Sequence, residues 1–482
     1  MRNRSWKLKF LIGACVLMAA AVVYETQLSN PPAMIAAPGE ANLVEPAAVV
    51  GVVQSEKADA FEITEAEIKA LVRQAIEMAG GFDGVIEDGD TVILKPNLIT
   101  YYALSTIEED LDPDANGLTT DWRVTKAVSE LVREVNPSGQ IIVLEGVAVG
   151  RTCDTMQQLN YTSEAMPEVA DFICLEERSG EYREYDAPEL VAVTLEDVPA
   201  RYSDYLKPNG SPEFYLNRVY YEADVLISLP VLKNHSISSV TGAVKNVGIG
   251  ATPQNIYTNG PTINERWRGN VISHTPYNLH RWIHDYYACR PVDFAIMDGL
   301  QGSFNGPVAT GSLYLSRAQT NMRLILASRD SVALDAVASV IMQYDPGRID
   351  HLVHLHNSGL GCVDTALLRV VGVEPTLVSE RFVNVHGAER HISDLDAPEL
   401  SIESCTIVED AMDLLVAVGE DTKKLEIGID GVDLGSNVIG GFDDTMRLTV
   451  PALEAGEHTV TVRAYDEYLN VSTEQVQVTT GP

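Results

Sequence analysis

The chain has 482 residues, which by length alone suits about three domains, and its 45% hydrophobic content is that of a folded protein rather than a disordered one. Acidic residues outnumber basic ones 69 to 34, for a net charge of −35. Such a surface repels phosphate backbones, excludes general nucleic-acid binding and suits salty or extracellular surroundings.

The chain begins with Arg2, Arg4, Lys7 and Lys9, followed by an apolar or small run from Phe10 to Tyr24. A positive flank ahead of such a run reads as an export signal. The run is shorter than the ~20 apolar residues a spanning helix needs. The small-x-small site at Ala19 to Ala21 lies inside it. Residues 1–28 therefore fit both a cleaved signal peptide and a retained transmembrane helix that would contact the membrane. In either case the remainder is expected to be extracytoplasmic, secreted or anchored to the cell membrane. Residues 29–58, rich in Ala, Pro and Val with no sustained period, read as a flexible linker.

Residues 59–397 read as an α/β body with a mostly parallel sheet and helices on both faces. Ile63 to Ala79 has helical spacing, with Ile68, Leu71, Val72, Ala75 and Ile76 on one face and Gly80-Gly81 as its stop. Thr91 to Leu94 is a short apolar strand, Val124 to Val135 a helix and Ile141 to Leu144 a strand. Asp224 to Leu229, Phe294 to Met297 and Leu324 to Ala327 are further strands, and Val332 to Met342 is a helix. Continuous apolar strands alternating with helices indicate a buried, mostly parallel sheet.

After residue 398 the apolar period becomes two. Leu425, Ile427 and Ile429 alternate up to the hairpin signal Asp430-Gly431; Met446, Leu448 and Val450 follow, then Val460, Val462 and Ala464. Residues 398–482 are accordingly expected to be an all-β sandwich resembling the immunoglobulin-like modules of exported bacterial proteins, suited to cell-surface contact.

Ligands of parallel α/β sheets sit beyond the carboxyl ends of the strands. There the sequence shows Lys95-Pro96-Asn97, Glu145-Gly146, Lys233-Asn234-His235, Lys245-Asn246 and Asp298-Gly299. Residues 59–397 hold only six lysines, and three stand near an Asn at these positions. Lysine supplies a point charge and asparagine a donor pair, which together suit a carboxylate or phosphate oxygen. The same residues can also serve structure, with lysine stems covering strand ends and asparagines closing turns. The binding candidates are Lys95, Asn97, Lys233, Asn234, Lys245 and Asn246. Candidates for proton transfer are His235, Asp298 and Glu145.

Asp335 sits among apolar residues on its helix and needs a partner; a strand-end lysine in a structural ion pair is the natural one, and a catalytic acid or base the alternative. His280 and His284, four apart, share a helix face and are weak candidates for a divalent metal, with core histidines as the alternative. His351, His354 and His356 are expected on a solvated helix face. Of the six cysteines none forms a C-x-x-C pair, and Cys153 with Cys174 is one disulfide the chain can make.

Together the segments VILKPNL, ADVLISLPVLKNH, GAVKNVGIG, DFAIMDG, NGPVATG and DSVALDAVA resemble the recurring motifs of domain of unknown function family 362, over roughly residues 60 to 375. The resemblance implies an α/β body. Many members of that family carry ferredoxin-like cysteine clusters; this chain has none, which argues against an iron–sulfur cofactor. The resulting expectation is an extracytoplasmic enzyme acting on a small anionic substrate. The alternatives are a non-catalytic surface binding protein and an assembly factor.

Overall fold

The computed structural model describes residues 43–100, 112–148, 150–175, 186–195, 213–257, 271–306, 318–383, 390–439 and 446–481. The segment read as a signal or anchor, 1–28, lies outside them. The chain divides into two compact units.

The larger unit comprises Val49–Val363 and Val370–His391. Its main strands are β1 (Ala48–Gln54), β2 (Thr91–Pro96), β3 (Gln140–Glu145), β4 (Asp171–Cys174), β5 (Val225–Leu229), β6 (Val231–His235), β7 (Phe294–Ser303) and β8 (Leu324–Ser328). Seven of them lie in the order β1-β8-β7-β5-β2-β3-β4. The ladders from β7 through β4 are parallel, with Leu94 opposite Val143 and Lys95 opposite Ser228. Among these seven, β8 runs opposite to the rest and is antiparallel to both β7 and β1. The sheet is therefore mixed but parallel-dominant.

Two helices, α1 (Glu65–Met78) and α2 (Trp122–Val135), share a core with one face of this sheet. Thr64 and Glu67 form a reciprocal capping box at the start of α1, and Gly80 and Gly81 leave it with φ of 91° and 68°. Val92 and Leu94 of β2 point into that core together with Ile68, Val72 and Val128. Side chains alternate along a strand, so Ile93 and Lys95 face the other side. On that side pack α3 (Gly242–Gly248), α4 (Pro276–Cys289), α5 (Ser331–Ile341) and α6 (Asp350–Asn357). Helices thus cover both faces.

The reading of 29–58 as a linker needs correction. Residues 48–54 form β1, an inner strand paired with β8. Its centre, Gly51, runs so close to α1 that an added Cβ would lie 2.5 Å from the Ala75 carbonyl. The close approach requires the glycine, and the glycine breaks up the apolar run that marks a strand. A disulfide joins Cys153, on the helix Thr152–Gln158, to Cys174 at the end of β4.

The smaller unit contains Ile392–Pro482 with Asp364–Arg369 and the stretch ending at Ala48. Its strands are β9 (Leu400–Val408), β10 (Ala411–Val418), β11 (Lys424–Ile429), β12 (Val432–Ile439), β13 (Met446–Thr449), β14 (Gly456–Tyr465) and β15 (Val471–Thr480). They form two antiparallel sheets, β12-β11-β14-β15 and β9-β10-β13. Leu43–Val44, also within the supposed linker, adds an edge strand to β12. Leu425, Ile427, Ile429, Leu448, Val460 and Val462 share one core. The turn between β11 and β12 is Asp430-Gly431, with φ of 52° and 78°, the left-handed pair a tight hairpin needs.

Candidate functional site

Beyond the carboxyl ends of β2 and β3, and beside β6 and α3, lies an open cleft of about 670 Å³. Its lining includes Asn97, Glu145, Lys233, His235, Thr241 and Lys245, with Ile99, Ala148 and Ile249 as apolar wall.

Lys95 stands directly behind this lining. It is fully buried, and its ammonium donates to Glu145 Oε1 at 2.7 Å, to the Pro96 carbonyl at 2.7 Å and to Asn246 Oδ1 at 3.2 Å. Glu145 also accepts from the amides of Leu98 at 2.9 Å and Gly146 at 2.6 Å. Lysine and glutamate cancel each other's charge, and each makes enough hydrogen bonds to tolerate burial.

Among the described residues, neither Lys233 nor Lys245 has such a paired carboxylate. The Lys233 amine donates to Asn97 Oδ1 at 2.7 Å and to the Leu118 carbonyl. Burial, reinforced by the neighbouring Lys245, holds its pKa well below the usual lysine range, although Glu145 pulls the other way. Burial alone brings Lys245 down to about 7. Taking an ammonium out of water penalises the charged form, and a second ammonium nearby adds to that penalty.

His235 is held in its neutral form. Burial, followed by the Lys245 charge, holds its pKa well below the ordinary imidazole value. Its Nδ1 accepts from the amides of Ile237 at 3.1 Å and Ser238 at 3.2 Å. A neutral imidazole that accepts at Nδ1 carries its proton on Nε2. The ring therefore offers a donor from its other nitrogen and is poorly arranged as a base there.

The asparagines have different places from those anticipated. Asn246 is saturated: its Oδ1 accepts from Lys95 and Asn97, and its Nδ2 donates to the Lys95 carbonyl at 2.8 Å and Ser228 Oγ at 3.1 Å. It positions Lys95 and Asn97 and has no hydrogen left for a ligand. Asn234 alternates to the opposite side of β6 from Lys233 and His235. There it binds the Tyr344 hydroxyl at 3.1 Å, the Val383 carbonyl at 3.0 Å and the Gly306 amide at 2.9 Å. Of the three, Asn97 lines the cleft.

Asp298 is not part of the cleft lining. It accepts from the amides of Asp121 at 2.8 Å and Leu300 at 3.0 Å, and burial together with the Asp121 carboxylate pushes its pKa up to about 7. Asp335 does not pair with a lysine. Its carboxyl accepts from the first amides of α3, Ala243 at 2.6 Å and Val244 at 3.0 Å, and burial raises it to about 7. Gly242, with φ of 59°, permits this approach, since a Cβ there would fall 2.3 Å from the Asp335 carboxyl.

The histidines separate. His280 Nδ1 lies 2.8 Å from His351 Nδ1, whereas His284 binds Asp285 at 2.9 Å and Ser358 Oγ at 2.8 Å. His351 is fully buried, contrary to the solvated face anticipated for its cluster, because α6 turns it against His280 of α4. Among the described residues, no three His, Cys, Asp or Glu side chains gather as a metal site. Thr241 was missed in the sequence. It lines the cleft with a buried hydroxyl that has no hydrogen-bond partner among the described residues, and only its position before Gly242 marks it out.

The family described as domain of unknown function (DUF362) matches residues 92–340, more than half of the chain. The thylakoid-associated protein sll1697 of Synechocystis sp. is 24% identical over 333 residues, which is 69% of this chain and 83% of that protein. Among solved structures, the lactate racemase apoprotein of Thermoanaerobacterium thermosaccharolyticum aligns over 61% of this chain with 13% identity and a TM-score of 0.33; the alignment spans 57% of the racemase chain. The fibronectin(III)-like modules of Clostridium thermocellum CbhA align over 17% of this chain and 95% of their own, with 14% identity and a TM-score of 0.14.

Proposed function

We propose that this chain, which belongs to the DUF362 family, is an extracytoplasmic enzyme whose cleft takes a small anionic substrate, a carboxylate or a phosphate. One observation carries the reading. Lys233 and Lys245 face a shared cleft whose lining carboxylate, Glu145, is already committed to Lys95. Two buried amines with no paired carboxylate among the described residues are costly as ammonium groups, and an incoming anion removes that cost. The Nε2–H of His235 and the Thr241 hydroxyl supply neutral donors beside them. Amines whose pKa values burial has lowered favour catalysis over simple binding, because they can exchange protons with a bound substrate.

Export is supported by the cationic and apolar start of the sequence and by the Cys153–Cys174 disulfide, which persists in oxidising surroundings. The two antiparallel sheets of the smaller unit support reading it as an immunoglobulin-like module for cell-surface contact.

Thermal unfolding in phosphate, acetate or chloride at equal ionic strength tests the anion site. Phosphate or the carboxylate should raise the melting temperature above the chloride value. The Lys245→Met variant should show no such difference. Equal melting temperatures in all three salts for the unaltered chain would sink the reading.

A further inference from the structure

We infer that Lys245 is a nucleophilic amine that forms an imine with the carbonyl carbon of a 2-oxo acid, while Lys233 moves the protons and faces the acid's carboxylate. This rests on the anion reading of the cleft and names the substrate class for it.

The two amines differ in how they are held. Lys233 Nζ is tethered by two acceptors, Asn97 Oδ1 and the Leu118 carbonyl. Burial and the Lys245 charge lower the pKa of this amine, but the two oxygens and Glu145 favour its ammonium, so once Lys245 is neutral a proton brought to the cleft by an anionic ligand settles there. Lys245 lines the same cleft from α3, and no hydrogen-bond or ion-pair partner of its amine occurs among the described residues. Its lone pair is committed to nothing. Burial leaves about half of this amine unprotonated at pH 7.

The charge balance selects the ligand. The Lys95–Glu145 pair contributes nothing net. Two ammonium groups in one desolvated cleft repel, and one carboxylate compensates one of them. A ligand with a single carboxylate therefore favours one charged lysine and one neutral lysine. A carbonyl bonded to that carboxylate then lies beside the neutral amine. Inorganic phosphate satisfies the charge but offers no carbon to attack. The Nε2–H of His235 is an additional donor for the carbonyl oxygen.

The step balances without an oxidant or reductant. The Lys245 lone pair forms the C–N bond, and the carbonyl π pair moves to oxygen, which takes a proton from the Lys233 ammonium. The attacking nitrogen then returns a proton to Lys233. The nitrogen lone pair expels the hydroxyl, which leaves as water with the Lys233 proton. The product is a protonated imine on Lys245, with Lys233 neutral and the positive charge beside the ligand's carboxylate.

The test treats the full chain with pyruvate and cyanoborohydride, which reduces an imine to a stable secondary amine, and reads intact mass and peptide maps. The expected result is one pyruvate adduct per chain, on Lys245, whose formation excess phosphate suppresses. With pyruvate saturating at both pH values, trapping should rise about tenfold from pH 6 to pH 8 as the amine loses its proton. Lys245→Arg keeps a cation and cannot form the imine, so it should lose the adduct while phosphate still raises its melting temperature. An absent adduct, an adduct on Lys233, or labelling spread equally over surface lysines and unchanged in Lys245→Arg overturns the inference. If phosphate or pyruvate still raises the melting temperature in those cases, the anion reading survives without the imine. If neither does, both fall.

Discussion

Lys424 in the smaller unit and Lys245 in the larger one are both buried, 1% and 7% exposed, yet their surroundings differ in kind. Lys424 donates to Glu426 Oε1 at 2.7 Å and to the Leu368 carbonyl at 2.7 Å, and its ammonium lies 4.4 Å from the Tyr465 ring centroid. Every demand of that charge is met within the fold. Lys245 reaches a cleft with no partner for its amine among the described residues and with its pKa lowered to about 7 by burial. Lys95 behaves like Lys424, because Glu145 answers it. Burial of a lysine therefore does not mark function by itself. Burial with its charge left for something outside the fold does.

Breaking the satisfied pairs should have the largest effect. Glu426→Gln and Glu145→Gln each strand a buried ammonium and should destabilise their unit by about 3–5 kcal/mol, read by urea unfolding. A loss below about 1 kcal/mol would show that these pairs are not needed for stability and would blur the contrast with Lys245. Removing the disulfide in Cys153→Ser opens a loop of sequence separation 21 and should cost roughly 3 kcal/mol, with reductant having no further effect on the variant.

Gly242→Ala sharpens the geometry beside the cleft. It puts a Cβ onto the Asp335 carboxyl at a φ of 59° and should cost about 2 kcal/mol. A neutral result would mean that α3 shifts easily and does not hold Lys245 firmly.

Lys245→Met acts in the opposite direction: it should stabilise the fold at pH 7 by roughly 2–4 kcal/mol, since it removes a buried amine whose charged form the fold penalises and keeps most of the stem packing. Its signature is in pH dependence. The folded pKa of about 7 lies below the ordinary 10.5, so between those values the unfolded chain binds more protons and stability rises with pH. That rise should be smaller in Lys245→Met when melting temperature is followed from pH 7 to 10. Anion affinity should fall about tenfold from pH 6 to pH 8 in the unaltered chain, because the charged lysine disappears over that window.

Most of the body strands were legible because they are buried on both faces and so read as unbroken apolar runs: Thr91 to Leu94 and Ile141 to Leu144 are examples. β1 was not legible, because Gly51 serves a strand–helix contact that leaves no apolar mark. The lysines stood out by scarcity, but the asparagines beside them misled. Adjacency in sequence does not say which side of a strand a residue takes, and Asn234 takes the opposite side from Lys233.

Local periodicity determined the α/β body, the switch to alternating strands near residue 398 and the Asp430-Gly431 hairpin, since each depends on residues close in the chain. The partner of each charge was decided only by the tertiary structure. Lys95 meets Glu145 across 50 residues and Asp335 meets the α3 amides across more than 90, and those encounters set which lysine is paired with a carboxylate and which carboxylate is not paired with a lysine. A carboxylate's reach is a few ångströms in space, and sequence spacing carries no measure of that distance once the chain has crossed between strands.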